Sequence, residues 1–184
     1  TCMVVLFIGR VPLKFIIMLL IIGGFAGMIA FQFGQRGGTA VSRVEVFFGD
    51  EIPYQAQQGY AAIATGGLFG KGPGQSDQRN FLPSAYSDFI YAIIIEEYGF
   101  VGGIIVIFLY LGLLYRGMKA TAHSETPYGG LLVSGLVFSI IFQAMINIGV
   151  TLGLGPITGV TLPLLSMGGT SQLFFGIAIG MILS

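Results

Sequence analysis

Charged side chains are scarce in this 184-residue chain, where only 9% of residues are Asp, Glu, Lys or Arg. Soluble domains carry roughly a quarter, so the composition excludes a soluble globular protein, a disordered tail and a nucleic-acid-binding protein. The eight basic and eight acidic residues cancel, so net charge attracts no polyanionic partner. One cysteine and one histidine exclude a disulfide framework, a cysteine-based zinc site and a histidine cluster.

Apolar residues make up 54% of the chain, and its mean hydropathy is +0.88. A membrane helix needs about 20 consecutive apolar residues. Residues 15–35 reach that length, residues 89–115 do so with only Glu96 and Glu97 interrupting, and the uncharged block 126–184 has room for two spans. We therefore predict an all-α polytopic membrane protein with about four full transmembrane helices, plus a partial one at residues 1–9.

The chain begins at Thr1, inside an apolar stretch, with no start methionine and no basic leader. We interpret it as a fragment of a longer protein, with residues 1–184 forming a single membrane domain. Within it, residues 34–88 form a long loop that is too polar to span and too apolar to be a plain linker. Tyr54, Tyr60, Ile63 and Leu68 indicate short helices on the membrane surface.

Basic residues in the short loops predict the orientation. Arg10 and Lys14 lie in one such loop, and Arg116 and Lys119 lie in another. The positive-inside rule places both loops in the cytoplasm, so the long loop is expected to be extracytoplasmic.

Asp88 is the first candidate for chemistry, because it follows a polar run and opens an apolar helix. One interpretation is a helix cap, with Ser87 as N-cap and Asp88 in the first turn. The other is a carboxylate at the mouth of a membrane cavity, where it could accept a proton or hold a metal.

Glu96 and Glu97 lie ~12–14 Å further along the same predicted helix. Carboxylates inside a membrane are costly and normally face a cavity or a partner. At about 100° per residue, Glu96 is expected on the face of Asp88, and Glu97 is expected to pair with another helix. The alternative is that both are neutral, hydrogen-bonded struts.

Arg43, Lys71 and Arg79 are the loop cations that could bind a phosphate. Residues 65–72 are rich in glycine but do not form a Walker loop, because Thr65 and Gly72 stand where Gly and Ser or Thr are needed. The glycines are expected to allow tight turns near the membrane surface. A flexible outer loop with a solvated lysine is the alternative.

The last apolar block carries two further polar features. Gln143 and Asn147 share one helix face, and side chains of this kind usually join helices in lipid. Glycine and proline break the pattern over residues 153–169. Broken helix is tolerated in a membrane only against protein or a water-filled cavity, so this segment predicts a lined cavity. His123 and Cys2 carry no functional prediction.

The order and spacing of several motifs resemble the SEDS family of shape, elongation, division and sporulation proteins. The run Gly74–Gln78 is more similar to the division branch, FtsW, than to the elongation branch, RodA. The matching residues are Tyr54, Gln55, Gln58, Gly66–Gly72, Gly74, Ser76, Gln78, Leu82, Pro83, Ser87–Ile90, Glu96, Glu97, Gly99, Asn147, Gly149, Pro156, Thr158, Gly159, Thr161–Pro163, Ser166 and Gly168–Ser171.

The resemblance implies roughly the C-terminal half of a ten-helix protein of the bacterial cytoplasmic membrane. Such proteins are peptidoglycan glycosyltransferases that polymerise lipid II, an undecaprenyl-pyrophosphate disaccharide-peptide, beside a class B penicillin-binding protein transpeptidase. Membrane lipid surrounds them, and no nucleic acid is involved. The family's catalytic aspartate falls on Asp88. The candidate substrate-binding residues are Arg43, Lys71, Gln58, Gln78, Glu96, Thr161, Ser166 and Ser171.

The chain departs from the family where a Glu and a His usually precede the aspartate, since Ser84 and Tyr86 stand there. The resulting hypothesis has Asp88 as general base for a sugar hydroxyl, with Arg43 and Lys71 taking up the charge of the departing lipid pyrophosphate. No metal site is assigned, although a divalent cation, Mg²⁺ or Mn²⁺, could assist.

Two other classes of function stay open. The first is a flippase or transporter of lipid-linked precursors that works through Glu96 and Glu97. The second is a membrane scaffold that binds a transpeptidase partner through Gly23, Gly24 and Gly27.

Overall fold

A computed structural model describes residues 6, 9, 11–33, 53–77, 87–124 and 126–183. These residues form five helices and no strand: α1 is Leu13–Phe33, α2 is Tyr54–Gly66, α3 is Ile90–His123, α4 is Pro127–Thr151 and α5 is Gly169–Leu183. The predicted all-α class is confirmed.

The core lies between α3 and α4, which a short turn joins. The Thr126 side chain caps α4 by accepting a hydrogen bond of 3.1 Å from the Gly129 N–H, and Pro127 occupies the first turn. Gly117 lets the two helices approach, since a Cβ there would lie 2.3 Å from a methyl group of Val137. Small residues serve this purpose at helix interfaces in membranes.

The long helix α3 is not continuous, although the sequence predicts a single span over residues 89–115. Gly99 adopts φ 73° and ψ −173°, which is outside the helical region. Only glycine adopts such a conformation readily. The helix therefore consists of a short N-terminal part up to Tyr98 and a longer part from Phe100 onward.

Two of the described helices, α3 and α4, are long and apolar enough to cross a membrane. The apolar stretches of α1 and α5, Leu13–Gly27 and Gly169–Ile182, are shorter. The membrane class is thus supported, whereas the count of four full spans and the loop orientation stay predictions. The helix α2 fits the predicted short helix of the long loop, and it packs against α3 with Ala56, Gly59 and Ala62 buried.

Candidate functional site

Asp88 lies just outside helix α3 and does not cap it. The helix begins at Ile90 with Phe89 at the N-cap position and no side-chain cap. The Ser87 hydroxyl donates a 3.0 Å hydrogen bond to Asp88 Oδ1. The interpretation of Ser87 and Asp88 as a helix cap is therefore wrong, because the first-turn N–H groups do not engage these side chains.

Two side chains from distant parts of the chain hold the backbone at Asp88. The Asn147 amide, on α4, donates 2.8 Å to the Asp88 carbonyl. The Ser166 hydroxyl donates 2.6 Å to the Ser87 carbonyl and accepts 2.7 Å from the Leu162 N–H. Asn147 and Ser166 are both buried, and a hydrogen bond in such surroundings has little competition from water. The position of Asp88 is therefore fixed through its main chain, which leaves its carboxylate for other contacts.

The irregular segment 152–168 lies against this site. Side chains of the long helices satisfy its carbonyls: Asn147 donates 2.6 Å to Val160, Gln143 donates 3.1 Å to Thr161, and the Tyr110 hydroxyl donates to Pro163. Gln143 and Asn147 were expected to join helices, and instead they bind this segment. Broken backbone at membrane depth requires such partners.

The carboxylate of Asp88 is close to Gly159 of the irregular segment. A Cβ at Gly159 would lie 3.6 Å from Asp88 Oδ2, and Gly159 has φ 68°. Gly159 is exposed and Asp88 is half-buried. Leu164, in the same segment, holds the left-handed φ of 68°, a strained conformation that costs of order 1–3 kcal/mol and recurs at functional sites. The carboxylate thus borders an accessible, irregular wall.

Removing the Asn147 amide tests the hold on Asp88. Asn147→Ala removes the donor from two partly buried carbonyls, and each lost hydrogen bond costs about 0.5–1.5 kcal/mol. We expect the thermal midpoint of the full-length protein to fall and its turnover to drop further than the remaining folded fraction explains. Gln143→Ala, which frees only the Thr161 carbonyl, is the matched control and should retain most of the turnover. Equal turnover in both variants would contradict a role for Asn147 in placing Asp88.

Lys71 and Glu96 form a second cluster, about 12 Å of helical rise from Asp88. The Lys71 ammonium lies 3.0 Å from Glu96 Oε1 and 2.9 Å from Asp77 Oδ2. The Ser76 hydroxyl and the Asp77 N–H also donate to the Glu96 carboxylate, which is fully buried. Hydrogen bonds to Asp77 and then to Glu96 raise the pKa of Lys71 above its ordinary value. Lys71 is therefore charged at neutral pH and already balanced by carboxylates.

The glycine-rich loop after α2 docks on the break in α3. The N–H groups of Lys71 and Gly72 donate to the Glu96 and Glu97 carbonyls at 2.9 and 3.0 Å. In return, the Phe100 N–H donates 2.9 Å to the Gly67 carbonyl. The loop thereby satisfies the backbone groups that the break at Gly99 frees, which is how interrupted helices are accommodated in membranes.

Gly70 is essential to this docking. It has φ 77°, and a Cβ there would lie 2.2 Å from the Glu97 carbonyl oxygen. Gly70→Ala is expected to lower the thermal midpoint of the full-length protein strongly, because both the φ and the backbone clash oppose it. Gly74→Ala is the control, since Gly74 has φ 76° with open space around its Cβ position, and it should cost only the ~1–2 kcal/mol of a left-handed residue. Equal losses in the two variants would contradict the close approach of loop and helix.

The structure divides the predicted site residues between these two clusters. Asp88, Ser166 and Thr161 belong to the first, and Glu96 and Lys71 belong to the second. Ser171 lies in the first turn of α5, where a Cβ on Gly168 would be 3.2 Å from its hydroxyl. Gln58 is half-buried on α2. Arg43, Arg79, Gln78, Ser84 and Tyr86 lie outside the described residues.

Two of the expectations need correction, and a third stays a prediction. Glu96 is fully buried and engaged by Lys71, Ser76 and Asp77, so it is a structural anchor and does not line a cavity beside Asp88. Lys71 is not a free cation for pyrophosphate, because two carboxylates hold it. The predicted pairing of Glu97 with another helix is not found within the described ranges, where only its backbone carbonyl has a partner from the loop.

Sequence reasoning missed the positioning roles of Asn147 and Ser76. A polar side chain in the last two turns of the helix before a broken segment signals that it can satisfy the broken backbone, as Asn147 does. The Asn147 Oδ1 is buried without a hydrogen-bond partner in the described part of the chain. The described residues hold no group of three or more His, Cys, Asp and Glu side chains that could bind a metal ion, and a role for Mg²⁺ or Mn²⁺ stays a prediction.

The fold and the site together are those of an all-helical membrane protein in which an aspartate is held against an irregular segment between two helices. A family model described as "Cell cycle protein", covering FtsW, RodA and SpoVE, matches residues 1–184. The chain therefore belongs to this family, which confirms the SEDS resemblance.

Several curated relatives are similar to the chain. Stage V sporulation protein E of Bacillus subtilis (strain 168) is 38% identical over 192 residues, which cover 100% of this chain and 51% of the relative. The probable peptidoglycan glycosyltransferase FtsW of Alkalilimnicola ehrlichii is 43% identical, covering 71% of this chain and 33% of that protein. The peptidoglycan glycosyltransferase RodA of Treponema pallidum is 40% identical, covering 77% of this chain and 34% of that protein.

A solved structure shares the fold. It comes from work on the structural coordination of polymerization and crosslinking by a peptidoglycan synthase complex, and it matches with a TM-score of 0.64 at 24% identity, over 97% of this chain and 51% of that one. The chain spans between a third and a half of the length of these relatives.

Proposed function

We propose that this chain is part of a peptidoglycan glycosyltransferase that polymerises lipid II at the outer face of the bacterial cytoplasmic membrane. The names of its FtsW and RodA relatives support the reaction class. The single observation that supports an active site at this position is the placement of Asp88. Its backbone is clamped by Asn147 and Ser166, while its carboxylate borders the exposed Gly159 and accepts only from Ser87 among the described residues.

In this proposal Asp88 is the general base. It takes the proton from the 4-hydroxyl of one lipid-linked disaccharide while that oxygen attacks the anomeric carbon of the other. The bond from the anomeric carbon to the pyrophosphate breaks, and the lipid pyrophosphate departs. A positioned base contributes about 10²–10⁴ in rate. Because Lys71 is neutralised by its carboxylates, stabilisation of the leaving group falls to Arg43 or to groups beyond this chain.

The proposed partner is a class B penicillin-binding protein transpeptidase, which fits the synthase complex whose fold the chain shares. The long loop would then face the cell-wall side, with Asp88 at that interface. The flippase alternative loses its main support, because Glu96 anchors the loop and is closed to a transported substrate.

The deciding experiment is polymerisation of purified lipid II by the full-length protein in liposomes, with its transpeptidase partner present. Product strands from the wild-type protein, and none above background from Asp88→Asn, are the expected result. Failure of the folded wild-type protein to form strands would contradict the reaction class, and equal strand formation by the two proteins would contradict the role of Asp88.

A further inference from the structure

A concave site lies at the opposite end of α3 from Asp88. It is an open groove of about 580 Å³ between the C-terminal parts of α3 and α5. Its polar lining consists of Arg116, Lys119 and His123, and its apolar lining includes Leu109 and Leu113 of α3 with Ile179 and Ile182 of α5.

The charge of this groove is of one sign. Arg116, Lys119 and His123 are spaced at i, i+3 and i+7, so they share one face of the helix. None of the described residues that line the groove is acidic, and the described ion pairs involve only Lys71, so neither Arg116 nor Lys119 takes part in one. The His123 Nδ1 donates 2.9 Å to the Lys119 carbonyl, which leaves Nε2 as the ring atom available to a ligand. Three nitrogen-bearing side chains thus line the groove, and no carboxylate stands beside them among its described lining residues.

The position of the groove matches a membrane interface. Arg116 lies 17 residues beyond Gly99, about 26 Å of helical rise, while a bilayer core is about 30 Å thick. Leu109 and Leu113 lie within two turns of Arg116 on the side toward Gly99, which is the side of the membrane interior. A phosphate held by the basic residues would therefore have acyl chains beside these leucines.

Gly112 leaves open space in the groove of the size that an acyl chain needs. Gly112 lines the groove, and a Cβ built on it meets nothing within 4 Å. Its neighbours Leu109 and Leu111 are large and exposed. The groove is therefore open along the helix, from the basic residues toward the apolar part.

We infer that this groove binds one anionic phospholipid, with its phosphate at Arg116, Lys119 and His123 and an acyl chain along Gly112, Leu113 and Ile179. Basic pockets between transmembrane helices on the cytoplasmic side recognise such headgroups. Under the positive-inside orientation, the lipid belongs to the inner leaflet. The site is separate from Asp88 and independent of the proposed reaction.

Lipid retention by the full-length protein tests this inference. The protein in mixed micelles is equilibrated with dioleoyl phosphatidylglycerol or dioleoyl phosphatidylcholine, and bound lipid is counted by native mass spectrometry. We expect the anionic lipid to be retained at least tenfold more than the zwitterionic one. Equal retention of the two lipids would overturn the inference.

Two kinds of variant test the headgroup contact and the acyl-chain contact separately. Arg116→Gln with Lys119→Gln should reduce phosphatidylglycerol retention to the phosphatidylcholine level, while Lys14→Gln, a basic residue outside the groove, should change nothing. Gly112→Leu, which fills open space without altering charge, should reduce retention severalfold. Soluble glycerol phosphate should not displace the lipid, and displacement would indicate a free-phosphate site instead. Unchanged retention in the charge and Gly112 variants, each verified to be folded by its thermal midpoint, would exclude the groove.

Discussion

Replacing Asp88 with asparagine is expected to lower the lipid II polymerisation rate by about 10²–10⁴, the range that a positioned general base contributes. The amide keeps the size of the side chain and can still accept from Ser87, but it cannot take the proton of the attacking hydroxyl. The folded structure should persist, because Asn147 and Ser166 bind the backbone at this point and not the carboxylate. The measurement is the initial rate of glycan strand formation, followed on gels.

Two further variants make the Asp88 result specific. Glu97→Gln removes a half-buried carboxylate of α3 that lies ~13 Å of helical rise from Asp88, and it should leave the rate within a few-fold of wild type. Asp88→Glu keeps the base but moves it by one methylene toward the wall at Gly159, and it should retain intermediate activity. Comparable losses in Glu97→Gln and Asp88→Asn would show that any change of charge in this region suffices, which contradicts a base at Asp88.

Truncating Glu96 is expected to give the largest loss of stability. Glu96→Ala removes the acceptor for Lys71, Ser76 and the Asp77 N–H at once. A hydrogen bond to a charged group is worth about 1.5–3 kcal/mol, and Glu96→Ala removes those from Ser76 and the Asp77 N–H together, while Lys71 keeps Asp77 as its partner. The loop should detach from the break at Gly99, and the thermal midpoint of the detergent-solubilised full-length protein should fall accordingly.

The Lys71 side of the pair provides the control. Lys71→Met alone leaves the Glu96 charge buried and should be destabilising, whereas Lys71→Met with Glu96→Gln removes both charges and should recover most of the loss. The raised pKa of Lys71 means that its contribution is fully present below its ordinary pKa. This stabilisation is lost only as the pH rises through the raised pKa, so the thermal midpoint of the protein should change little between about pH 6 and pH 9. No recovery in the double variant would contradict the pairing.

The membrane class follows from the sequence alone, because the apolar lengths and the near absence of charge leave few other states for the chain. Asp88 could also be singled out, since a carboxylate beside an apolar helix is costly without a purpose. The glycine and proline residues likewise predicted that the helix is broken over residues 153–169. Each of these depends on local composition and spacing, which a sequence displays directly.

The partners of the polar residues were decided only by the tertiary structure. Asn147 reaches Asp88 across 59 positions, Ser166 reaches Ser87 across 79, and Lys71 reaches Glu96 across 25. Lys71 was expected beside Asp88, yet the break at Gly99 exposes backbone groups that draw the loop to Glu96 instead. Chain separation of this size carries no signal in helical periodicity, because such contacts depend on how helices pack and where one of them is interrupted.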